Sequence, residues 1–340
     1  MAGEVVRGMR LLVTGGCGFI GSNFVRHVLR EHAEDEVLNL DKLTYAGNPE
    51  NLREVEGDPR YRFQRGDICE EEDVAQAFAW EPEAVLNFAA ETHVDRSIAS
   101  PEAFVRTDVL GTFRLLRAAQ ERGVRYVQIS TDEVYGSIPE GSFREDSPLQ
   151  PNSPYAASKA GADLLVRSYV MTYGLDAVIV RSSNNYGPYQ YPEKVIPLFV
   201  TNLLEGRKVP LYGEGKNVRD WLFVEDNCRA IDLVLRRGET GEIYNVGGGQ
   251  EKSNLALTRS ILEIMGMGEE CIQYVPDRPG HDLRYSVDCS KIRSLGWRPF
   301  TDFEGGLRET VRWYRENEDW WRPIKNGEFR RYYLERYGDI

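Results

Sequence analysis

Between Ser130 and Lys159 the chain gathers a hydroxyl, two adjacent carboxylates, a phenol and an amine: Thr131-Asp132-Glu133 at one end, Tyr155 and Lys159 at the other. Tyr155 and Lys159 stand four residues apart behind Pro154, a residue suited to the first turn of a helix. One helical face then carries both side chains. An ammonium beside a phenol favours the phenolate, which makes tyrosine a usable base near neutral pH. Such a base takes the proton of a carbinol while hydride leaves for an acceptor. The resulting ketone acidifies hydrogen on the adjoining carbon, so a second base can remove it while an acid expels a hydroxyl as water from the carbon beyond. Thr131, Asp132 and Glu133 have the groups to orient the oxygen, act as acid and act as base. Placed otherwise, the same carboxylates cap a helix or face solvent.

The elements that must hold these groups begin with Met9 to Thr14, a short, mostly apolar run stopped by Gly15. Gly15, Gly18 and Gly21 keep a G-x-x-G-x-x-G spacing ahead of an amphipathic stretch, Phe19 to Arg30. Strand, glycine turn and helix form the setting of a dinucleotide fingerprint: backbone approaches the pyrophosphate and the helix N-terminus supplies free N–H groups. A second apolar run ends at Asp41, where an acid accepts ribose hydroxyls and repels a 2′-phosphate. The expected cofactor is therefore NAD. Tyr61 to Gln64 and Ala84 to Phe88 read as further strands, leading to Asp67-Ile68 and Ala89-Ala90, with a helix around Glu71 to Ala79. Pro101 to Arg122 reads as one long helix, capped by Ser100 and stopped by Gly123. Val124 to Ser130, the helix Tyr155 to Tyr173 and the strand Ala177 to Val180 complete a βαβαβ pattern. The two carboxylates then lie just past the carboxyl end of a strand, where open α/β sheets bind ligands.

Beyond Arg181 the pattern is less regular, with a polar, aromatic loop at Ser182 to Pro192 and glycine clusters at Gly213 to Gly215 and Gly247 to Gly249. Lys194, Arg219, Arg278 and His281 are available there to neutralise a diphosphate. Gly305 to Trp321 reads as an amphipathic helix. The expected fold is α/β: a Rossmann-like doubly wound parallel sheet with a smaller C-terminal substrate-binding portion. Residues 9–183 are expected to form the NAD domain, with returning segments near 217–246, and residues 184–340 mainly the substrate-binding portion.

The chain has 340 residues and a net charge of −12, which argues against nucleic acid or an anionic membrane as the main partner. No apolar run is long enough to span a membrane and the N-terminus lacks a signal-peptide pattern, so the expected location is the cytoplasm. Five cysteines show neither an even count nor Cys-x-x-Cys spacing, and the histidines at 27, 32, 93 and 281 form no metal-ligand pattern. No metal is expected.

Taken together, Thr14 to Ser22, Asp41 to Asn48, Ala89 to Ser97, Ser130 to Gly136, Tyr155 to Lys159, Ser183 to Gln190 and Arg278 to Asp282 resemble the extended short-chain dehydrogenase/reductases. Within them, the Asp-Lys-Leu-Thr-Tyr-Ala-Gly-Asn and Thr-Asp-Glu blocks resemble the branch that dehydrates dTDP-glucose. The resemblance implies a tightly bound NAD that borrows a hydride and returns it. Tyr155 would deprotonate the glucose 4-hydroxyl, with Thr131 on the 4-oxygen and Lys159 holding ribose and lowering the phenol pKa. Glu133 would remove the C5 proton, and a protonated Asp132 would release the 6-hydroxyl as water.

By the same resemblance, Gly15, Gly18, Phe19, Ile20, Gly21, Asp41, Lys42, Leu43, Thr44, Asp67, Ile68, Ala89, Ala90, Thr107, Tyr155, Lys159 and Asn185 touch cofactor. Thr92, Thr131, Asn184, Lys194, Val195, Pro210, Tyr212, Arg219, Asn254, Arg278 and His281 hold the nucleotide sugar. A homodimer joined by the helices Pro101 to Arg122 and Tyr155 to Tyr173 is implied as well. Two positions depart from the family pattern: Cys17 replaces alanine, and Asp108 replaces asparagine, exchanging an amide donor for an acid behind the cofactor. The rival readings are a nucleotide-sugar 4-epimerase, which needs no elimination pair, and a non-catalytic NAD-binding sensor or scaffold.

Overall fold

The computed structural model describes residues 8–277, 282–326, Arg331 and Tyr333. In chain order its first half comprises β1 (Arg10–Thr14), α1 (Phe19–Glu31), β2 (Glu36–Asp41), β3 (Tyr61–Arg65), α2 (Glu71–Phe78), β4 (Ala84–Asn87), α3 (Val94–Ala99), α4 (Pro101–Phe104), α5 (Thr112–Arg122), β5 (Arg125–Thr131), α6 (Pro154–Tyr173) and β6 (Ala177–Ser182). The second half comprises β7 (Asn184–Tyr186), α7 (Val195–Leu204), β8 (Val209–Tyr212), β9 (Val218–Phe223), α8 (Val224–Arg237), β10 (Ile243–Val246), β11 (Glu251–Ser253), α9 (Asn254–Met265), β12 (Ile272–Val275), α10 (Ser290–Ser294), α11 (Phe303–Glu316) and α12 (Glu318–Ile324).

Seven strands form one parallel sheet in the order β10-β6-β5-β4-β1-β2-β3. Parallel strands are covered on both faces, which is why β1 and β4 read as continuous apolar runs without alternation. Leu11, Leu12, Val13, Val85 and Leu86 are fully buried between two helical layers. Chain direction across the sheet reverses between β1 and β4, and a crevice opens there at the carboxyl ends of the strands. A second core packs α7, α9 and α11 around the three-stranded sheet β11-β9-β7 and the pair β12-β8. From this later part of the chain, β10 returns to pair with β6, and α8 packs with α1 in the first core.

Two expected helices are interrupted. Pro101 to Arg122 is helical throughout, but Val105–Gly111 forms a π-turn between α4 and α5, and Ser100 makes no side-chain cap. A π-turn inserts an extra residue and re-aims the side chains beside it; here Asp108 is turned into the interior. Near the C-terminus the expected single helix breaks at Asn317, whose amide donates to the Trp313 carbonyl at 2.8 Å and separates α11 from α12. Among the described residues, no helix is long and apolar enough to cross a membrane.

Candidate active site

Gly15 links β1 to the turn before α1 with φ +70°, and a Cβ there would lie 2.6 Å from the Ala89 amide nitrogen. A Cβ on Gly21 would collide with the Gly15 carbonyl oxygen. The cradle is therefore open to a ligand only because these positions carry no side chain. Its helix, α1, has no side-chain cap, so its N-terminal turn offers the dipole and N–H groups that favour an anion. At the end of β2, Asp41 accepts the Cys17 and Leu43 amides, each at 2.8 Å, leaving carboxylate lone pairs for ribose hydroxyls. Lys42 pairs with Asp67 at 2.7 Å on the rim. The glycine cradle, the uncapped helix and the acid at the strand end fit a dinucleotide without a 2′-phosphate.

The cradle continues into a cavity of about 290 Å³ that also takes in Thr131, Asp132, Glu133, Tyr155 and Lys159. Thr131 is the last residue of β5; its hydroxyl accepts the Glu133 amide at 3.3 Å and so starts the tight turn holding both carboxylates. Beneath it, Ser130 donates to Asp163 at 3.0 Å, Asp163 pairs with Arg181 at 2.8 Å, and Arg181 bonds the Tyr135 hydroxyl at 2.8 Å. This buried network fixes the strand end from which the reacting groups project. Ser153 caps α6 by accepting the Ala156 amide, and Pro154 lies in its first turn, so Tyr155 and Lys159 enter the cavity from one face.

Asp132 is 2% exposed, and its Oδ2 has no hydrogen-bond partner. Burial, then Glu133 and Asp220, push its carboxyl up to about 8. Such a group is protonated at neutral pH and becomes a poor acid above about 8. The Tyr155 phenol is raised well above its ordinary range by burial first, then by the charges of Glu133 and Asp108, with the Thr131 bond opposing them. Lys159, expected to favour the phenolate, donates to the Ile129 carbonyl at 2.6 Å, while the charges of Glu133, Asp108 and Asp132 act on the phenol in the opposite sense. The unpartnered buried oxygens of Asn184 and Asn185 also face this cavity's lining.

The replacement of asparagine by Asp108 has a defined setting. Its Oδ1 accepts the Glu91 amide at 3.0 Å and its Oδ2 faces Ser158 Oγ at 2.6 Å. Ser158 has one proton for two acceptors, Asp108 and the Tyr155 carbonyl. Burial raises the Asp108 carboxyl to about 6 against the opposing charge of Lys159. Above pH 6 its negative charge disfavours the Tyr155 phenolate. Asp108→Asn removes that charge and keeps an acceptor for Glu91, so the ascending limb of the kcat profile should move to lower pH by up to about one unit. An unmoved limb would show that the phenol does not feel this carboxylate.

Of the expected cofactor residues, all but Leu43 line the cavity; Leu43 has φ +59° and contributes its amide to Asp41. Of the expected sugar-binding residues, Thr92, Thr131, Asn184 and Lys194 line it, and Lys194 donates to the Thr92 carbonyl at 2.8 Å. Val195, Pro210, Tyr212, Arg219 and Asn254 lie outside that lining, on α7, β8, β9 and α9. Arg219 still lowers the Asp132 carboxyl through its charge. Arg278 and His281 fall outside the described residues. Sequence reading missed Glu91 and Glu193, both in the lining. Glu193 accepts from Tyr45 at 3.0 Å and Arg96 at 3.3 Å, tying together three distant segments. Its only sequence signal was its place beside Lys194.

Residues 12–310 match the model of the GDP-mannose 4,6 dehydratase family. The dTDP-glucose 4,6-dehydratase of Streptomyces niveus is 56% identical over 324 residues, covering 94% of this chain and 96% of that protein. The solved structure of DesIV, a dTDP-glucose 4,6-dehydratase from Streptomyces venezuelae with NAD and TYD bound, superposes with a TM-score of 0.91 at 57% identity, covering 93% of this chain and all (100%) of that one. A UDP-glucose 4-epimerase from Thermus thermophilus, solved with NAD, shares the fold at a TM-score of 0.84 and 36% identity, over 91% of this chain and 100% of that one.

Proposed function

Because the chain belongs to the GDP-mannose 4,6-dehydratase family, we infer from its site that it is an NAD-dependent dTDP-glucose 4,6-dehydratase, a hydro-lyase yielding dTDP-4-keto-6-deoxyglucose. The observation that carries this reading is the buried Asp132, its Oδ2 without a hydrogen-bond partner, beside Glu133 at the end of β5 in the lining of the cavity shared with Tyr155. An epimerase needs the phenol but no elimination pair.

Bound in the glycine cradle, NAD supplies a hydride acceptor and donor and, when oxidised, a positive charge that favours the Tyr155 phenolate. Tyr155 takes the proton of the sugar 4-hydroxyl, and Thr131 bonds the 4-oxygen. Lys159 keeps one N–H on the Ile129 carbonyl and has two more for the cofactor ribose. Glu133 removes the C5 proton acidified by the ketone, and Asp132 gives its proton to the departing 6-hydroxyl. The 4-keto-6-deoxy sugar would result once the hydride given up by C4 is returned to C6 and Glu133, protonated in the elimination, gives a proton back to C5.

Thr92, Asn184 and Lys194 are assigned to the sugar diphosphate side of the cavity, with Val195, Pro210, Tyr212, Arg219 and Asn254 extending the site toward the nucleotide. On this reading residues 9–183 with the returning 217–246 segment hold the cofactor, and most of 184–340 holds the substrate. A homodimer through the 101–122 helix and α6 is supported by Val105, Leu164, Met171 and Tyr173, each more than half exposed there; sedimentation of a monomer at micromolar concentration would refute it. A cytoplasmic location is supported by five free thiols, four of them buried, and fractionation tests it.

The test of function is incubation of the purified protein with dTDP-glucose and identification of the product by NMR. The 4-keto-6-deoxy sugar without net NADH is expected. Recovery of dTDP-galactose selects the epimerase, and no turnover of any nucleotide sugar selects the scaffold.

A further inference from the structure

Where α1 packs against α8, two histidines and an aspartate that the sequence separates by some two hundred residues converge. His27 lies on α1, His32 follows its last turn, and Asp232 lies on α8, which packs against α1. One ligand atom from each lies within 4.8 Å of the others. Asp232 Oδ2 is hydrogen-bonded to His32 Nε2 at 2.8 Å and lies 3.6 Å from His27 Nε2. For ligands about 2.0–2.1 Å from a tetrahedral zinc ion, neighbouring donors stand about 3.3–3.4 Å apart; these two separations bracket that edge.

A second observation points to a ligand. His27 is 4% exposed, yet neither of its ring nitrogens has a hydrogen-bond partner. An imidazole so buried ordinarily has its polar atoms satisfied, and here Nε2 faces the Asp232 carboxylate at a distance too long for a good hydrogen bond. Asp232 is held for coordination by its other oxygen: Oδ1 accepts from Arg236 at 2.7 Å, and Arg236 is held in turn by Asp35 at 2.5 Å. Outer partners of this kind orient metal ligands. His32 is partly exposed, so water can complete the coordination shell.

We propose that His27, His32 and Asp232 bind a divalent transition-metal ion of the zinc class, with two imidazoles, one carboxylate and water as ligands. The ion would clamp the C-terminal end of α1 to α8. His32 stands roughly 20 Å along α1 from the N-terminal turn that faces the cofactor, so the role is structural, outside the reaction.

Chelator-treated, NAD-loaded full-length enzyme titrated with zinc chloride alone should take up one ion per chain. Saturating zinc should raise the melting temperature by about 3–5 °C, and anomalous diffraction at the zinc edge should give a peak among the three side chains. His32→Gln and Asp232→Asn, both at partly exposed positions, should each weaken binding about tenfold or more while leaving dehydratase turnover unchanged. The proposal is overturned by the absence of stoichiometric binding at about 1 mM zinc, or by affinity that survives both substitutions, or by an anomalous peak elsewhere.

Discussion

Glu133→Gln is expected to leave NAD bound and sugar oxidation intact while overall dehydration falls by roughly 10²- to 10⁴-fold, the usual contribution of a positioned base. The amide keeps the shape of the carboxylate at the start of the turn after β5, so the Thr131 hydroxyl still accepts the residue 133 amide. It cannot take the C5 proton. Oxidation without elimination strands the sugar as its ketone, so reduced nicotinamide should accumulate on the enzyme and exchange at C5 should be lost. The carboxylate pair adds a pH effect. Glu133 helps hold the Asp132 carboxyl up at about 8, and removing that charge lowers it, so residual dehydration should decline at a lower pH than in the native enzyme. Unchanged C5 exchange would remove Glu133 from the base role.

Tyr155→Phe should abolish the step that precedes elimination. The ring keeps its edge contact with Phe104 at 6.3 Å between centroids, and Lys159 keeps its bond to the Ile129 carbonyl. Only the phenolic oxygen proposed to take the 4-hydroxyl proton is lost. Turnover should fall by roughly 10²- to 10⁴-fold, with neither reduced nicotinamide nor C5 exchange detectable after mixing with dTDP-glucose. The contrast with Glu133→Gln matters, because one variant stalls after oxidation and the other before it. Normal reduction of the nicotinamide by Tyr155→Phe would mean that another group serves as the first base.

The sheet was legible in the chain because its strands, apart from the exposed edge strand β3, are buried on both faces, and β1 and β2 stop at residues with a positional reason, Gly15 after β1 and Asp41 at the end of β2. The cradle was legible for the same reason, since its glycines sit where a side chain would strike the backbone of Ala89 or of Gly15. The π-turn was not, because Val105 to Gly111 contains ordinary helical residues and the close approach of Gly111 to Ile68 is a tertiary fact. Nor was the state of the phenol: the four-residue spacing shows the lysine, but the opposing charges of Glu133 and Asp108 come from segments that meet it only on folding. Glu193 and the His27, His32 and Asp232 cluster escaped for the same reason, since their partners lie more than ninety residues away or on another helix. Asp108 lies between these cases. The sequence marks it as a departure, and the fold shows which amide and hydroxyl it meets.

On the proposed mechanism one site oxidises, eliminates water and reduces without releasing the sugar. Turnover of dTDP-glucose in deuterated water tests it most directly. Product carrying solvent deuterium at C5 of a 4-keto-6-deoxy sugar, with no net NADH, is the expected result. A 4-keto-6-deoxy product with protium retained at C5 would contradict it.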